Sequence, residues 1–84
     1  MKIKKNIAVS ENGFVFDPTT GESYSLNEMG TEFLNMLKSG KTKEKIKKEI
    51  LLKYDVDEVT FEKSFSDFIN MLVNYQLIED YEEN

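Results

Sequence analysis

The sequence of 84 residues contains no cysteine, no histidine, no tryptophan and no arginine. Without cysteine there is no disulfide, so the fold has to be stabilised by packing alone. The missing histidine and cysteine are the commonest general base and the commonest metal ligands, and the missing arginine is the side chain that clamps phosphate with two hydrogen bonds. We also find no glycine-rich phosphate loop and no nucleophile motif. The sequence therefore favours a binding protein over an enzyme, with no catalytic residue, no cofactor and no metal site.

Long hydrophobic runs are absent as well. No apolar run approaches the roughly 20 residues that a membrane helix needs, and the basic start of the chain, residues 1–9, is too interrupted for a signal peptide. With 32% charged residues and a net charge of -5 the chain has the composition of a soluble protein, and we expect a cytoplasmic location and no membrane partner. The length allows one small core. We therefore expect residues 1–84 to form a single domain, with an acidic, frayed tail at 80–84.

The first part of the chain carries the pattern of three short strands. A rough alternation of apolar residues predicts a first strand within residues 2–9. Phe14 and Phe16 are separated by one residue, so both rings fall on one face of a second strand. Residues 17–21 contain the only proline and a glycine, which is typical of a tight turn. In residues 22–26 a tyrosine and a leucine alternate with serines, which predicts a third strand with one apolar face.

Three amphipathic helices are predicted to follow. Asn27, Thr42 and Asp57 are candidate N-caps, because each stands before apolar residues with helical spacing. The third helix is the most apolar, and we expect it to be the centre of the core, followed by an extended segment at 76–79. Its apolar stripe comprises Phe61, Phe65, Phe68, Leu72 and Tyr75, widened by Ile69 and Val73. The order of elements predicts an α+β, winged helix-turn-helix-like fold, with a three-stranded antiparallel sheet followed by three helices.

Charge is distributed unevenly along these elements. Residues 41–54 hold six lysines and two glutamates, whereas residues 55–84 hold nine acids and one lysine. A lysine run on a helix is most simply a solvated face. The alternative is a docking patch for an acidic partner.

Turn residues, a short strand motif and helix ends together carry a family resemblance over residues 9–79. They are Asp17, Thr20, Gly21, the run 24–27, Gly30, Gly40, Ile46, the run 54–57, and the helix 68–72 with Leu77 and Ile78 after it. In this order and spacing they resemble the PqqD-like family, the recognition elements of ribosomally synthesised and post-translationally modified peptides. The chain departs from the family pattern at Ser64, where an acid is usual, and at Gln76, where a glycine is frequent and which predicts a helix end without glycine.

The resemblance implies a winged helix-turn-helix fold and a non-catalytic peptide chaperone. Such a protein binds the leader of a precursor peptide and presents it to a modifying enzyme, which is a radical SAM protein, a leader peptidase or another tailoring enzyme. An extended peptide can add to an open sheet edge by main-chain hydrogen bonds, with pockets for alternate side chains. The resemblance places the pocket between the third strand and the third helix. The expected peptide contacts are Glu22, Ser23, Tyr24, Ser25 and Leu26 on the strand and Ser64, Asp67, Phe68 and Met71 on the helix.

These residues also have structural interpretations. Tyr24, Leu26 and Phe68 fit a core, and Asp67 fits a solvated helix position. Two other functions stay open, namely a winged-helix nucleic-acid-binding domain and an adaptor that binds only another protein. The third helix has Lys63 as its only base, and the chain has no arginine to read guanine, so we expect no nucleic-acid partner.

Overall fold

Three short antiparallel strands are followed by three helices in the computed structural model, which describes residues 2–78. The elements are β1 (Ala8–Val9), β2 (Phe14–Asp17), β3 (Glu22–Ser25), α1 (Glu28–Lys38), α2 (Lys43–Lys53) and α3 (Glu58–Asn74). The predicted α+β architecture and order of elements are confirmed. The frayed tail expected at 80–84 lies outside the described residues. Within residues 2–78 no helix has both the length and the apolar character needed to cross a membrane.

The first strand is much shorter than predicted. Residues 2–9 were expected to be extended, but only Ala8–Val9 pairs with β2. Ile3 forms an isolated antiparallel bridge with Ile78, and Ile7 is buried in the core on the other side of a turn. The two buried isoleucines are therefore separated by a turn at residues 5–6, in which the Ile7 N–H donates to the Lys4 carbonyl.

The sheet has the order β1-β2-β3. Its inner face is not the one that carries the two phenylalanines of β2. Phe14 and Phe16 share one face, as predicted, but that face points outward, with the side chains 52% and 42% exposed. The face that contacts the helices carries Val15, which is 1% exposed and lies opposite Tyr24 in the sheet. The two phenylalanines of β2 and the apolar residues of β3 consequently lie on opposite faces, since Phe16 pairs with Ser23.

The core is built around an aromatic cluster between α1 and α3. Phe33 of α1 packs edge-on against Phe61 and Phe65 and tilted against Phe68, with ring centroids 5.9, 5.3 and 5.4 Å apart. The third helix is thus central, as predicted. Tyr75, which was expected to continue its buried stripe, is instead the C-cap residue and is 45% exposed.

All three predicted N-caps are present. The side chains of Asn27, Thr42 and Asp57 each accept a hydrogen bond from the backbone N–H three residues further on, at 2.7, 3.2 and 2.8 Å. Each bond satisfies a donor that the first turn of a helix leaves free. The N–H of Thr60 also lowers the pKa of the Asp57 carboxyl.

The C-terminal end of α3 forms without glycine, as the sequence predicts. Gln76 adopts a left-handed conformation with φ 56°, and the Leu77 N–H donates to the Leu72 carbonyl at 2.9 Å. This is the Schellman motif, in which the left-handed residue is usually a glycine. The segment predicted as extended at 76–79 is therefore left-handed at its first residue, and its last residue lies outside the described part. Val73, which the sequence predicts at the flank of the apolar stripe of α3, lies near this helix end and is 40% exposed.

The lysines of α2 are largely engaged by acids of the neighbouring helices. Lys43 contacts Glu62 at 2.8 Å, and Lys47 contacts both Glu58 and Glu62. These pairs lower the pKa of Glu62 and raise that of Lys47. Ion pairs of this exposure contribute little to stability, because water screens both charges. The lysine run is accordingly a solvated face that α3 partly neutralises.

We expect the pair between α1 and α2 to make stability depend on acid pH. Lys53 lies 2.6 Å from Glu32 and lowers its pKa, and Tyr54 donates to the same carboxylate at 2.8 Å. Glu32 therefore binds its proton more weakly in the folded chain, so its contribution is present above its ordinary pKa of 4.5 and is lost as pH falls below that value. Glu32→Gln should lower the free energy of unfolding by about 1 kcal/mol at pH 7, and the difference should disappear towards pH 3 in urea titrations.

Glu11→Gln is the matched control for this prediction, since Glu11 is exposed and forms no ion pair within residues 2–78. Its effect should be close to zero at both pH values. A Glu32→Gln difference that persists unchanged at pH 3 would assign the role of Glu32 to packing instead of charge.

Candidate functional site

β3 is the longer of the two edge strands of the sheet, since β1 at the opposite edge has only two residues. The Leu26 N–H donates to the Gly13 carbonyl at 2.8 Å, and residues of an antiparallel strand direct their main-chain groups alternately to either side. The main-chain N–H and C=O groups of Tyr24 therefore point to β2, whereas those of Ser23 and Ser25 point away from it. No main-chain hydrogen bond within residues 2–78 occupies this side. The described end of the chain pairs with Ile3 and leaves the edge open.

A groove of about 410 Å³ lies between the end of β3 and α3. It contains all four helix residues that the sequence analysis singled out, and two of the five strand residues. It also contains the α1 N-cap and three residues of the first turns of α1, which the sequence does not single out as peptide contacts, although their three- and four-residue spacing places them on one side of the helix. The lining residues are Ser25, Leu26, Asn27, Met29, Gly30, Phe33, Ser64, Asp67, Phe68 and Met71.

The floor of the groove is low because Gly30 has no side chain. A Cβ at this position would lie 3.0 Å from the Asn27 Oδ1 and 3.4 Å from the Phe68 ring. Phe68 is buried and also lines the groove, so it has both the core position and the groove position that the sequence leaves open. Met71 is half-buried at the rim, where its flexible thioether can adjust to ligands of different shape.

A single charged residue, Asp67, is found among the described residues that line this groove. It forms an exposed ion pair with Lys63, one helical turn away, at 2.9 Å. Such a pair contributes little stability, so a basic ligand group could replace the lysine at small cost. Ser64, half-buried beside it, adds no second acid where the family pattern usually has one.

The other end of the strand is closed by a stacked pair of tyrosines. Tyr24 of β3 lies 4.4 Å, centroid to centroid, from Tyr75 at the end of α3, with 17° between the ring planes. Burial, and next the hydrogen bond to Glu22, raise the pKa of the Tyr24 hydroxyl. Tyr24 is therefore a wall beside the groove and not part of its lining. Ser23 directs its main-chain groups to the free edge, whereas those of Glu22, which has the same parity as Tyr24, face β2. This position of Tyr75 is not apparent from the sequence, because a helical stripe does not show where the helix ends.

A larger cavity, of about 670 Å³, lies on the opposite side of Leu26 against α1. Most of its lining residues are of polar types, and its acids are Glu11, Glu28 and Glu32. Glu32 is already bound by Lys53 and Tyr54, and no three potential metal ligands converge anywhere within residues 2–78. This cavity has no free strand edge beside it, so the groove next to β3 is the better candidate site.

Comparison with known proteins supports the resemblance found in the sequence. The family model described as coenzyme PQQ synthesis protein D (PqqD) matches residues 13–78. A solved structure, TbiB1 in complex with the TbiA(beta) leader peptide, has a TM-score of 0.86 and 30% sequence identity over 99% of this chain and 100% of that chain. No curated protein matches the chain. The predicted family resemblance and fold are thereby confirmed.

Proposed function

The chain belongs to the PqqD family, and from this premise we propose that it is a non-catalytic chaperone for the leader of a ribosomally synthesised precursor peptide. It binds the leader by β-strand addition and presents it to a modifying enzyme, either a radical SAM protein, a leader peptidase or another tailoring enzyme. The observation that carries the proposal is the open β3 edge directly beside an apolar groove. The likeness to TbiB1, whose structure contains a leader peptide, supports the same role.

The geometry suggests how a leader is held. Its main chain pairs with the outward N–H and C=O groups of Ser23 and Ser25, and this part of the recognition is independent of sequence. A side chain that points inward at the level of Leu26 enters the groove between α1 and α3. The next inward side chain, about 6.8 Å along the strand, meets the tyrosine stack instead. We therefore expect an apolar leader residue in the groove, with a basic residue tolerated near Asp67.

We expect removal of one outward N–H to weaken leader binding by about tenfold or more. Ser23→Pro deletes the N–H that only a visiting strand would use and places a ring at the edge, whereas the β2–β3 ladder is untouched because prolines are tolerated on the outer side of edge strands. The measurement is a fluorescence-anisotropy titration with a labelled leader peptide of a candidate precursor. NMR shift mapping should show changes in the amides of residues 22–26 and on the Ser64 to Met71 side of α3.

Ser23→Ala is the matched control, because it removes the hydroxyl and keeps the main chain. It should bind the leader like the natural protein. Equal affinity of both variants, or shifts confined to α2, would contradict strand addition at β3. If the modifying enzyme binds but the leader does not, the protein is an adaptor that recognises only another protein.

Nucleic-acid binding is not proposed for this winged-helix-like fold. Affinity for nucleic acid depends on lysine and arginine contacts to phosphate. Lys63, the only base of α3, is paired with Asp67. Lys43 and Lys47 of α2 form ion pairs with acids of α3. A mobility-shift assay at low salt should show no tight complex with duplex DNA.

A further inference from the structure

The outer face of the sheet, pointing away from the helices, has no charged side chain among residues 2–78. In a chain with 32% charged residues the described strands contribute only alanine, serine and phenylalanine to it. The pairing register defines its members, which are Ala8, Ser10, Phe14, Phe16, Ser23 and Ser25.

Small residues flank both phenylalanine rings on this outer face. Phe16 lies between Ala8 and Ser23, and Phe14 lies opposite Ser25. Phe14 is 52% exposed and Phe16 is 42% exposed, so both rings are accessible to a ligand. Strands in a sheet are about 4.8 Å apart, which puts a fourth strand roughly 10 Å from β2. A long apolar or aromatic side chain on that fourth strand could lie across a serine and reach a ring.

We propose that this outer face is a second recognition surface for the same leader peptide, and that it takes apolar side chains that alternate away from the groove. The inference rests on the proposed function, since a strand added to β3 must direct every second side chain to the outer face. Leaders of this protein then carry outward apolar residues at i and i+2, in addition to the inward residue that fills the groove. Phe14 and Phe16 are specificity-determining residues for those outward positions.

The size of the exposed surface favours a strand over a folded partner. Two half-exposed rings offer on the order of 200 Å². A stable protein–protein interface buries about 800 Å² on each side, so the rings alone are too small for a second copy of this chain or for an enzyme. They suffice for two or three side chains of a strand that is already held by main-chain hydrogen bonds at the adjoining edge.

Peptide display tests this inference without knowledge of the natural leader. A library of random 12-residue peptides is selected on the full chain and, in parallel, on the Phe14→Thr, Phe16→Thr double variant, in which threonine keeps the preference for a strand. Peptides enriched on the natural protein should show apolar residues both at the alternate positions that point inward to the groove and at those that point to the outer face. On the double variant the outward positions should lose this preference, while the inward positions keep it. A selected peptide with its outward residues replaced by serine should bind the natural protein about tenfold more weakly, and the double variant unchanged.

Leu52→Gln is the control, because Leu52 is 84% exposed on α2, away from both sheet and groove. It should leave the selected pattern as it is. If apolar residues are enriched only at one set of alternate positions, and equally on the natural protein and the double variant, the inference is wrong, whereas strand addition at β3 is not contradicted. Selected peptides that do not shift the Ser23 and Ser25 amides would overturn both. Self-association in analytical ultracentrifugation that the double variant abolishes would assign the outer face to a second copy and also overturn the inference.

Discussion

Replacement of Gly13 by alanine should remove about 3 kcal/mol from the free energy of unfolding, a large part of what a domain of this size has. Gly13 has φ +82°, and a Cβ there would lie 2.8 Å from the Leu26 carbonyl oxygen and fall on the Thr31 hydroxyl. The first contact is with backbone and cannot be relieved by a side-chain rotation. The same backbone holds the Leu26 N–H to Gly13, so relief of the clash would open the β2–β3 junction. The melting temperature, followed by circular dichroism, should fall by roughly 15 °C.

Gly21→Ala separates the two causes of this loss. Gly21 has nearly the same φ, +78°, but an added Cβ would have nothing within 4 Å. Its substitution should cost only the left-handed conformation, about 1 kcal/mol. Equal losses at the two glycines would show that the contacts at Gly13 give way easily, and that conformation alone sets the cost.

The helices could be read from the sequence because their signals are local. The N-caps act on N–H groups three residues away, and apolar spacing fixes which side of a helix is buried. Spacing also explains why Ser64, Asp67, Phe68 and Met71 share one side of α3, since they are three and four positions apart. The family resemblance then pointed to that side, and the structure brings these residues together in the groove. Their contacts with a leader stay a prediction.

The sheet could not be read as fully, because its faces are decided by partners distant in sequence. The phenylalanines of β2 are more apolar than Val15, yet the pairing register sends Val15 inward. The Gly13–Leu26 bond is consistent with that register, and no alternation pattern within one strand reveals it. Likewise, the stack of Tyr75 on Tyr24 and the bridge between Ile3 and Ile78 join residues that are far apart in the sequence.

Phe33→Ala should be the most damaging side-chain truncation, with a loss of about 4 kcal/mol in stability. Phe33 is 2% exposed, and its ring contacts Phe61, Phe65 and Phe68, all of α3. Truncation removes the ring and leaves a cavity that the rigid neighbours on α3 cannot fill by collapse. Because Phe33 also lines the groove, the cavity should open into it, and a leader residue of larger volume should then be accommodated in the folded fraction.

Phe14→Ala is the matched control for Phe33→Ala, since the same atoms are removed from a ring that is 52% exposed. The cost should stay below about 1 kcal/mol, because little apolar surface is returned to water and the strand loses only part of its preference. Urea denaturation of both variants measures the difference, with equal m-values required for the comparison. Similar losses for the two would mean that the outer face is covered in solution, and the core would then have to include the side of the sheet that faces away from the helices.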